Sequence, residues 1–174
     1  MNGLNNFLKW LGMPQPSAVM RQLADWFEAD CPHYRFATTR DIDWFIHLET
    51  VCYQNYLAWT RADFERDLLK NPYALYVIFP QKACIIGRIT HKKAHISHLM
   101  VEPSQQRKGI GREMLTCWIR AARQMHSQSV TLEVRASNRA AIALYQQHGF
   151  VIVRTILRYY EDGEDALYMQ LLLK

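Results

Sequence analysis

The sequence has no apolar run approaching the twenty residues that a membrane-crossing helix needs. Its first residues include asparagines and one lysine but no long hydrophobic stretch, which argues against a secretory signal and makes the cytoplasm the expected compartment. Cysteine is sparse: four residues stand far apart, at 31, 52, 84 and 117, with no C-x-x-C pair. A metal knuckle and a disulfide framework are therefore not expected, and buried reduced thiols are. The histidines include His91, His95 and His98. Two-residue alternation puts His91 and His95 on one face only if a single strand spans both, so ordinary strand histidines are expected rather than a zinc site. Also missing are the Walker loop G-x-x-x-x-G-K-[ST], the third glycine of a dinucleotide fingerprint, and any basic stripe with interleaved aromatics. Direct nucleic-acid binding is not expected. There are no internal repeats and no low-complexity segments.

What remains is a chain of 174 residues, 49% apolar and 21% charged, the profile of one ordinary globular domain with a real core. Net charge is +5. Residues 1–33 carry −1 (Lys9 and Arg21 against Asp25, Glu28 and Asp30), so the remainder carries +6. A polyanionic ligand suits that surplus, as would a location near RNA, but net charge speaks to steering rather than chemistry.

Residues 1–33 read as a helical extension. Leu4, Phe7, Leu8 and Leu11 form a short amphipathic stripe that Gly12, Pro14 and Pro16 end. Ser17 can cap a second helix bearing Met20, Leu23, Ala24, Trp26 and Phe27, which stops before Cys31-Pro32. Such stripes usually pack into a core; the alternative is a docking helix for a partner or a membrane surface. Residues 34–174 form the main domain. Strands are predicted over Tyr34–Thr38, Tyr73–Pro80, Ala83–Lys92, Ala94–Val101, Ser129–Val134, Val151–Arg158 and Ala166–Leu173. Helices are predicted over Asp41–Tyr53, Arg61–Lys70, Ile110–His126 and Asn138–His148, the second opened by a Thr60/Asp63 capping box. That order implies a mixed α/β sheet.

The run Gln106-Arg107-Lys108-Gly109-Ile110-Gly111-Arg112 lies between the strand ending at Val101 and the helix from Ile110. Glycines at a helix entrance let unpaired N–H groups close on an anion, and the helix dipole with Arg107, Lys108 and Arg112 adds positive charge. A pyrophosphate fits such a site. Further on come Leu132-Glu133-Val134-Arg135-Ala136-Ser137-Asn138, then Ala140-Ala141-Ile142-Ala143-Leu144-Tyr145, then Gly149-Phe150. In this order, residues 98–174 resemble the GNAT superfamily of acetyl-CoA-dependent N-acetyltransferases, with wording closest to the RimI type, the ribosomal-protein-alanine and protein N-terminal acetyltransferases. The ending Tyr159-Tyr160-Glu161-Asp162-Gly163-Glu164-Asp165-Ala166 resembles that group as well. The resemblance implies a mostly antiparallel central sheet flanked by helices, here with an N-terminal helical extension.

It also implies acetyl-CoA as cosubstrate and no metal. The pyrophosphate would sit on Arg107, Lys108, Gly109, Ile110, Gly111 and Arg112, and the pantetheine arm along backbone groups of Leu99, Met100 and Val101, one of whose N–H groups would face the thioester oxygen. Glu133, which interrupts an apolar strand, is the candidate base for an α-amine of pKa about 8. Tyr145 is the candidate acid for the leaving thiolate; without the resemblance it reads as a core tyrosine with its hydroxyl at the rim. Asn138 can cap its helix, bond the pantetheine amide, or both. Tyr159 and Tyr160 would clamp the first residues of a peptide, and the acids that follow could attract positive charges further along it. Leu57-Ala58-Trp59-Thr60 resembles the P-W-S/T element of RimI-type proteins, with alanine where proline is usual. The expected reaction is acetylation of a protein N-terminus, with a ribosomal protein as first candidate. The alternatives are acetylation of a small-molecule amine or a protein lysine, and a binding module with little turnover.

Overall fold

The computed structural model describes residues 17–53 and 59–174. The predicted first helix, on Leu4, Phe7, Leu8 and Leu11, lies outside the described residues. The elements run α1 (Ala18–Asp30), β1 (Arg35–Phe36), α2 (Ile42–Cys52), α3 (Arg61–Lys70), β2 (Ala74–Phe79), β3 (Ala83–Ile89), β4 (Ala94–Val101), α4 (Ile110–Gln124), β5 (Ser129–Arg135), α5 (Arg139–Gln147), β6 (Val151–Ile156) and β7 (Ala166–Leu172). The strands form one sheet in the order β1-β2-β3-β4-β5-β7-β6. Every neighbouring pair is antiparallel except β4 and β5, which run parallel. This is the mixed, mostly antiparallel, helix-flanked sheet expected from the sequence.

Predicted and observed ends differ where a local hydrogen bond intervenes. Asp41 does not open α2. It sits in a tight turn over Thr39–Asp41, its carboxylate taken by Arg35 and by the Thr38 N–H. β3 stops at Ile89 instead of Lys92 because Thr90 and Lys93 close a turn. The capping box of α3 is present, with Thr60 and Asp63 exchanging hydrogen bonds.

Helices cover both faces. Phe27 of α1 packs 4.8 Å from Phe36, which pairs with Val77. The preceding residue, Tyr76, points the other way and meets Phe45 of α2 and the Asp67 carboxylate of α3. In α1, the Ser17 hydroxyl caps the helix at Met20, and Val19, Met20, Leu23 and Phe27 are buried in the main core. Burying each of the larger of these contributes about 1.5–3 kcal/mol. Cys31 at the end of α1 touches Cys117 of α4.

Two irregularities in β4 shape the site. Ile86 faces His98 and Gly87 faces Ile96, so Ser97 is an extra residue, a bulge. The bulge breaks the alternation and brings His95 and His98 to the same face, the one covered by α2 and α3. His95 pairs in register with Arg88, which reaches Asp67 of α3, while His98 meets Glu49 of α2 at 2.8 Å. The second irregularity is that β4 and β5 pair only from Ala94↔Val130 to Ile96↔Leu132, yet run on to Val101 and Arg135. Beyond Ile96 and Leu132 the two strands no longer pair, which leaves the sheet open between their ends.

Candidate active site

The opening between β4 and β5 has the glycine loop at its mouth. After Val101, a short turn over Pro103–Gln105 leads into Gln106, Arg107, Lys108 and Gly109, and then α4. Gly109 occupies the N-cap position at φ +86°, in the left-handed region where a side chain is strained. Among the described residues no side chain caps this helix, so the N–H groups of its first turn are available to a ligand. Arg107, Lys108 and Arg112 are exposed around it, and Arg112 is steadied by Gln147 at 3.1 Å. Gly111 packs between Leu144 and Val101, where an added Cβ would lie 3.6 Å from each. The site can hold an anion through the backbone and bring cations to its flanks.

One edge of β4 over Leu99, Met100 and Val101 is paired with β3. The other borders the opening. Met100 is buried, while Leu99 and Val101 are half-buried. The Val101 carbonyl is already occupied, accepting from Gln106 Nε2 at 3.0 Å and from the Cys52 thiol.

Glu133 lies on β5 one residue past the last β4 pairing. It faces Tyr168 across the sheet, half-buried. Desolvation raises its carboxyl pKa above the ordinary value, while Lys93 and Arg154 oppose the rise. Its Oε2 stands 3.3 Å from Nε2 of His95, and Nδ1 of that imidazole stands 3.1 Å from the Thr131 hydroxyl. Burial first, then Lys93 and Arg88, lower the His95 pKa to about 4, so the ring is neutral at physiological pH. In the sequence His95 reads only as an ordinary strand histidine. No single-strand pattern carries the signal, because the parallel pairing with Thr131 brings it to Glu133. Among the described residues no group of three or more His, Cys, Asp or Glu side chains could hold a metal ion.

Tyr145 on α5 is buried, its ring 5.7 Å from that of Phe150. Burial raises its pKa above the usual phenol value, and the neighbouring Tyr160 adds to the rise. Tyr53 at the end of α2 is raised for the same first reason, with Tyr145 the next contributor. Asn138 caps α5, its Oδ1 accepting from the Ala141 N–H at 3.1 Å.

Tyr159 is half exposed and meets Tyr160 edge-on at 5.1 Å. The Arg135 guanidinium lies 4.0 Å over the Tyr160 ring. Burial pushes Tyr160 up to about 12, and both phenols are raised further by Glu133. The acidic turn is used differently from the sequence expectation. Asp162 and Glu164 each bind Arg135 at 2.7 Å, Glu164 also accepts from the Ser137 N–H, and Asp165 accepts from the Arg158 N–H. Hydrogen bonds from Ser137 and Arg135 hold the Glu164 carboxyl at about 2. These three carboxylates fasten the loop and do not stand free to attract a basic peptide.

Of the Leu57-Ala58-Trp59-Thr60 element, Leu57 and Ala58 lie outside the described residues. Trp59 is anchored from below: its backbone N–H donates to Glu49 Oε2 at 3.1 Å, and its ring meets His98 edge-on at 4.9 Å. Tyr53 and Phe64 complete an aromatic wall around His98. Glu49 carries no signal in the sequence, since a buried glutamate on a helix looks like any other.

The sequence matches the Acetyltransferase (GNAT) family over residues 19–150. It is similar to the putative [ribosomal protein bS18]-alanine N-acetyltransferase of Bacillus subtilis (strain 168), 29% identical over 134 residues, covering 74% of this chain and 87% of that protein. It is similar to the N-alpha-acetyltransferase of Sulfurisphaera tokodaii, 40% identical over 79 residues, which is 45% of this chain and 47% of that one. Among solved structures, the ribosomal-protein-S18-alanine N-acetyltransferase from Escherichia coli superposes with a TM-score of 0.69 at 30% identity, covering 81% of this chain and 93% of that chain.

Proposed function

The chain belongs to the acetyltransferase (GNAT) family, and we propose that within it this protein acetylates the N-terminal α-amine of a protein substrate. Acetyl-CoA-dependent acetyl transfer follows from the family; the identity of the amine is our reading. The observation that carries it is the Tyr159–Tyr160 pair, fixed by Arg135 and close enough to Glu133 to feel its charge. A rigid aromatic loop beside the base suits an extended peptide entering end first better than a small free amine. The bS18-alanine and N-alpha-acetyltransferase relatives support the same reading.

In the mechanism we infer, the CoA pyrophosphate binds the first turn of α4 and the flanking Arg107, Lys108 and Arg112. The pantetheine arm enters the opening along Leu99–Val101, and Asn138 faces it from the cap of α5. Glu133 takes a proton from the α-ammonium, directly or through a water. The free amine attacks the thioester carbon, and the developing oxyanion is met by a backbone N–H of β4. The carbon–sulfur bond breaks and the thiolate takes its proton from Tyr145, whose raised pKa keeps the phenol protonated until that moment; the second proton of the attacking nitrogen, shed as the amide forms, restores the phenol. Buried Glu49 and His98 hold Trp59 and so support the substrate side of the opening.

Mass spectrometry of Ala-, Ser-, Met- and Gly-initiated peptides incubated with acetyl-CoA tests this reading. A small first residue such as alanine should be acetylated at the α-amine, and a ribosomal-protein terminus is the first candidate. Turnover of polyamines with every peptide untouched would favour the small-molecule reading instead.

A further inference from the structure

We propose that Cys31 and Cys117 form an oxidation site. A peroxide converts the two thiols into an intramolecular disulfide that clamps the N-terminal helical extension onto α4 and leaves the glycine loop in place.

The two thiols come from distant parts of the chain, 86 positions apart. Cys31 stands at the C-terminal end of α1, and Cys117 lies in the middle of α4. Both are free thiols, and their sulfurs are 2.7 Å apart. A disulfide bond of about 2.04 Å therefore asks for a movement of only about 0.7 Å.

This contact is one of three that seat residues 30–34 on α4. Asp30 pairs with Arg120, the sulfurs meet, and the Tyr34 hydroxyl donates to Glu113 Oε2 at 3.2 Å. Glu113, Cys117 and Arg120 follow one another at spacings of four and three, which places them on one face of the helix. The Arg120 guanidinium also lies 5.5 Å over the Trp26 ring of α1. The meeting of the sulfurs is thus held by the packing on either side of it.

A small oxidant can reach the pair. Cys31 and Cys117 are each only 4% exposed, yet both line a cavity of about 330 Å³ that opens to solvent. Asp30, His33, Tyr34 and Arg120 border the same space. Burial, and after it the contact with Cys31, raises the Cys117 pKa, with Arg120 opposing. Little thiolate is present at neutral pH, so oxidation follows sustained exposure and not a brief pulse.

One thiol gives up its proton and attacks the peroxide, which forms a sulfenic acid and releases water. The second sulfur attacks the sulfenic sulfur, the S–S bond forms, and a second water leaves. The two thiols lose two hydrogens and two electrons in all, and the broken O–O bond takes them up. A dithiol reductant reverses the step by exchange, so the clamp can reopen. A cross-link closing so long a loop restricts the unfolded chain strongly and stabilises the fold. Cys117 lies seven positions past Ile110, about two turns from the glycine loop, so the loop keeps its shape.

The test treats the full chain with hydrogen peroxide, blocks remaining thiols with N-ethylmaleimide and maps peptides by mass spectrometry without reductant. The expected product is a peptide pair joined through Cys31 and Cys117, lighter by two hydrogens and separated by dithiothreitol. Thermal unfolding of the oxidised protein should shift upward by roughly 5–15 °C from the reduced form. The shift should vanish in Cys31→Ser and in Cys117→Ser, each compared with its own reduced form. Acetyl-CoA affinity, read by calorimetry, should stay within about twofold. Thiols at 31 and 117 that remain free, or that end as separate sulfinic acids, would overturn the proposal. So would a thermal gain that persists in both serine variants, or a cross-linked protein that no longer binds acetyl-CoA. The mapping uses the wild-type chain, so it decides even where a serine variant fails to fold.

Discussion

A Cβ placed on Gly87 would stand 1.9 Å from the carbonyl oxygen of His95. Real atoms do not approach so closely, so β3 carries glycine here because the bulged backbone of β4 fills the space a side chain would need. Gly87→Ala should therefore shift the bulge, displace His95 and destabilise the fold by about 2–4 kcal/mol. Denaturant unfolding checks the stability and a steady-state assay the activity. A wild-type midpoint with full turnover would show that the close approach has no consequence.

The glycine loop responds to a different demand. A Cβ on Gly109 meets nothing within 4 Å, but its φ of +86° strains any other residue. Gly109→Val should keep the fold at a backbone cost of about 1–2 kcal/mol and weaken acetyl-CoA binding strongly, because the N–H groups of the first turn lose their aim. Gly111→Ala, meeting only ordinary contacts at 3.6 Å, should be milder. Calorimetric titration with acetyl-CoA decides; equal affinity in Gly109→Val and wild type would place the pyrophosphate elsewhere.

Much of this architecture is legible in the sequence. The α-helical and strand periods locate α3 and β4 to the residue, and the glycine loop stands out because it follows a strand and opens a helix. The bulge at Ser97 is hidden, since Ala94-His95-Ile96-Ser97-His98 reads as plain alternation, and the extra residue exists only relative to β3. The contact of His95 with Glu133 depends on parallel pairing between segments thirty-six positions apart at His95 and Thr131. The acidic turn misleads for a related reason: local sequence shows Asp162, Glu164 and Asp165 as a free negative patch, while Arg135, far earlier in the chain, takes up two of them.

Arg135 gives a prediction of its own. Arg135→Ala should release the Tyr159–Tyr160 loop and raise the peptide KM more than the acetyl-CoA KM, because the loop contributes binding and not proton transfer. The depressed Glu164 carboxyl fixes the pH range. A lowered folded-state value means that its anchoring is complete above the ordinary glutamate pKa of about 4.3 and fades only as pH falls toward about 2. Loop-dependent peptide binding should therefore persist at pH 5. If peptide KM were unchanged in Arg135→Ala, the loop would not be part of the peptide site.

The central claim is that Glu133 and Tyr145 move the two protons of acetyl transfer to a protein α-amine. Its most direct measurement is the pH dependence of kcat for Glu133→Gln and Tyr145→Phe, with an Ala-initiated peptide and α-amine acetylation read by mass spectrometry. Both variants should lose about 10²–10⁴ in kcat near neutral pH while binding acetyl-CoA almost as wild type does. The raised carboxyl pKa of Glu133 puts the wild-type acidic limb above the usual glutamate range, since the base acts only when ionised. The Glu133→Gln deficit should shrink above about pH 8, where the α-amine deprotonates unaided. Wild-type kcat in both variants at neutral pH, or a Glu133→Gln deficit that stays constant across that range, would contradict the account.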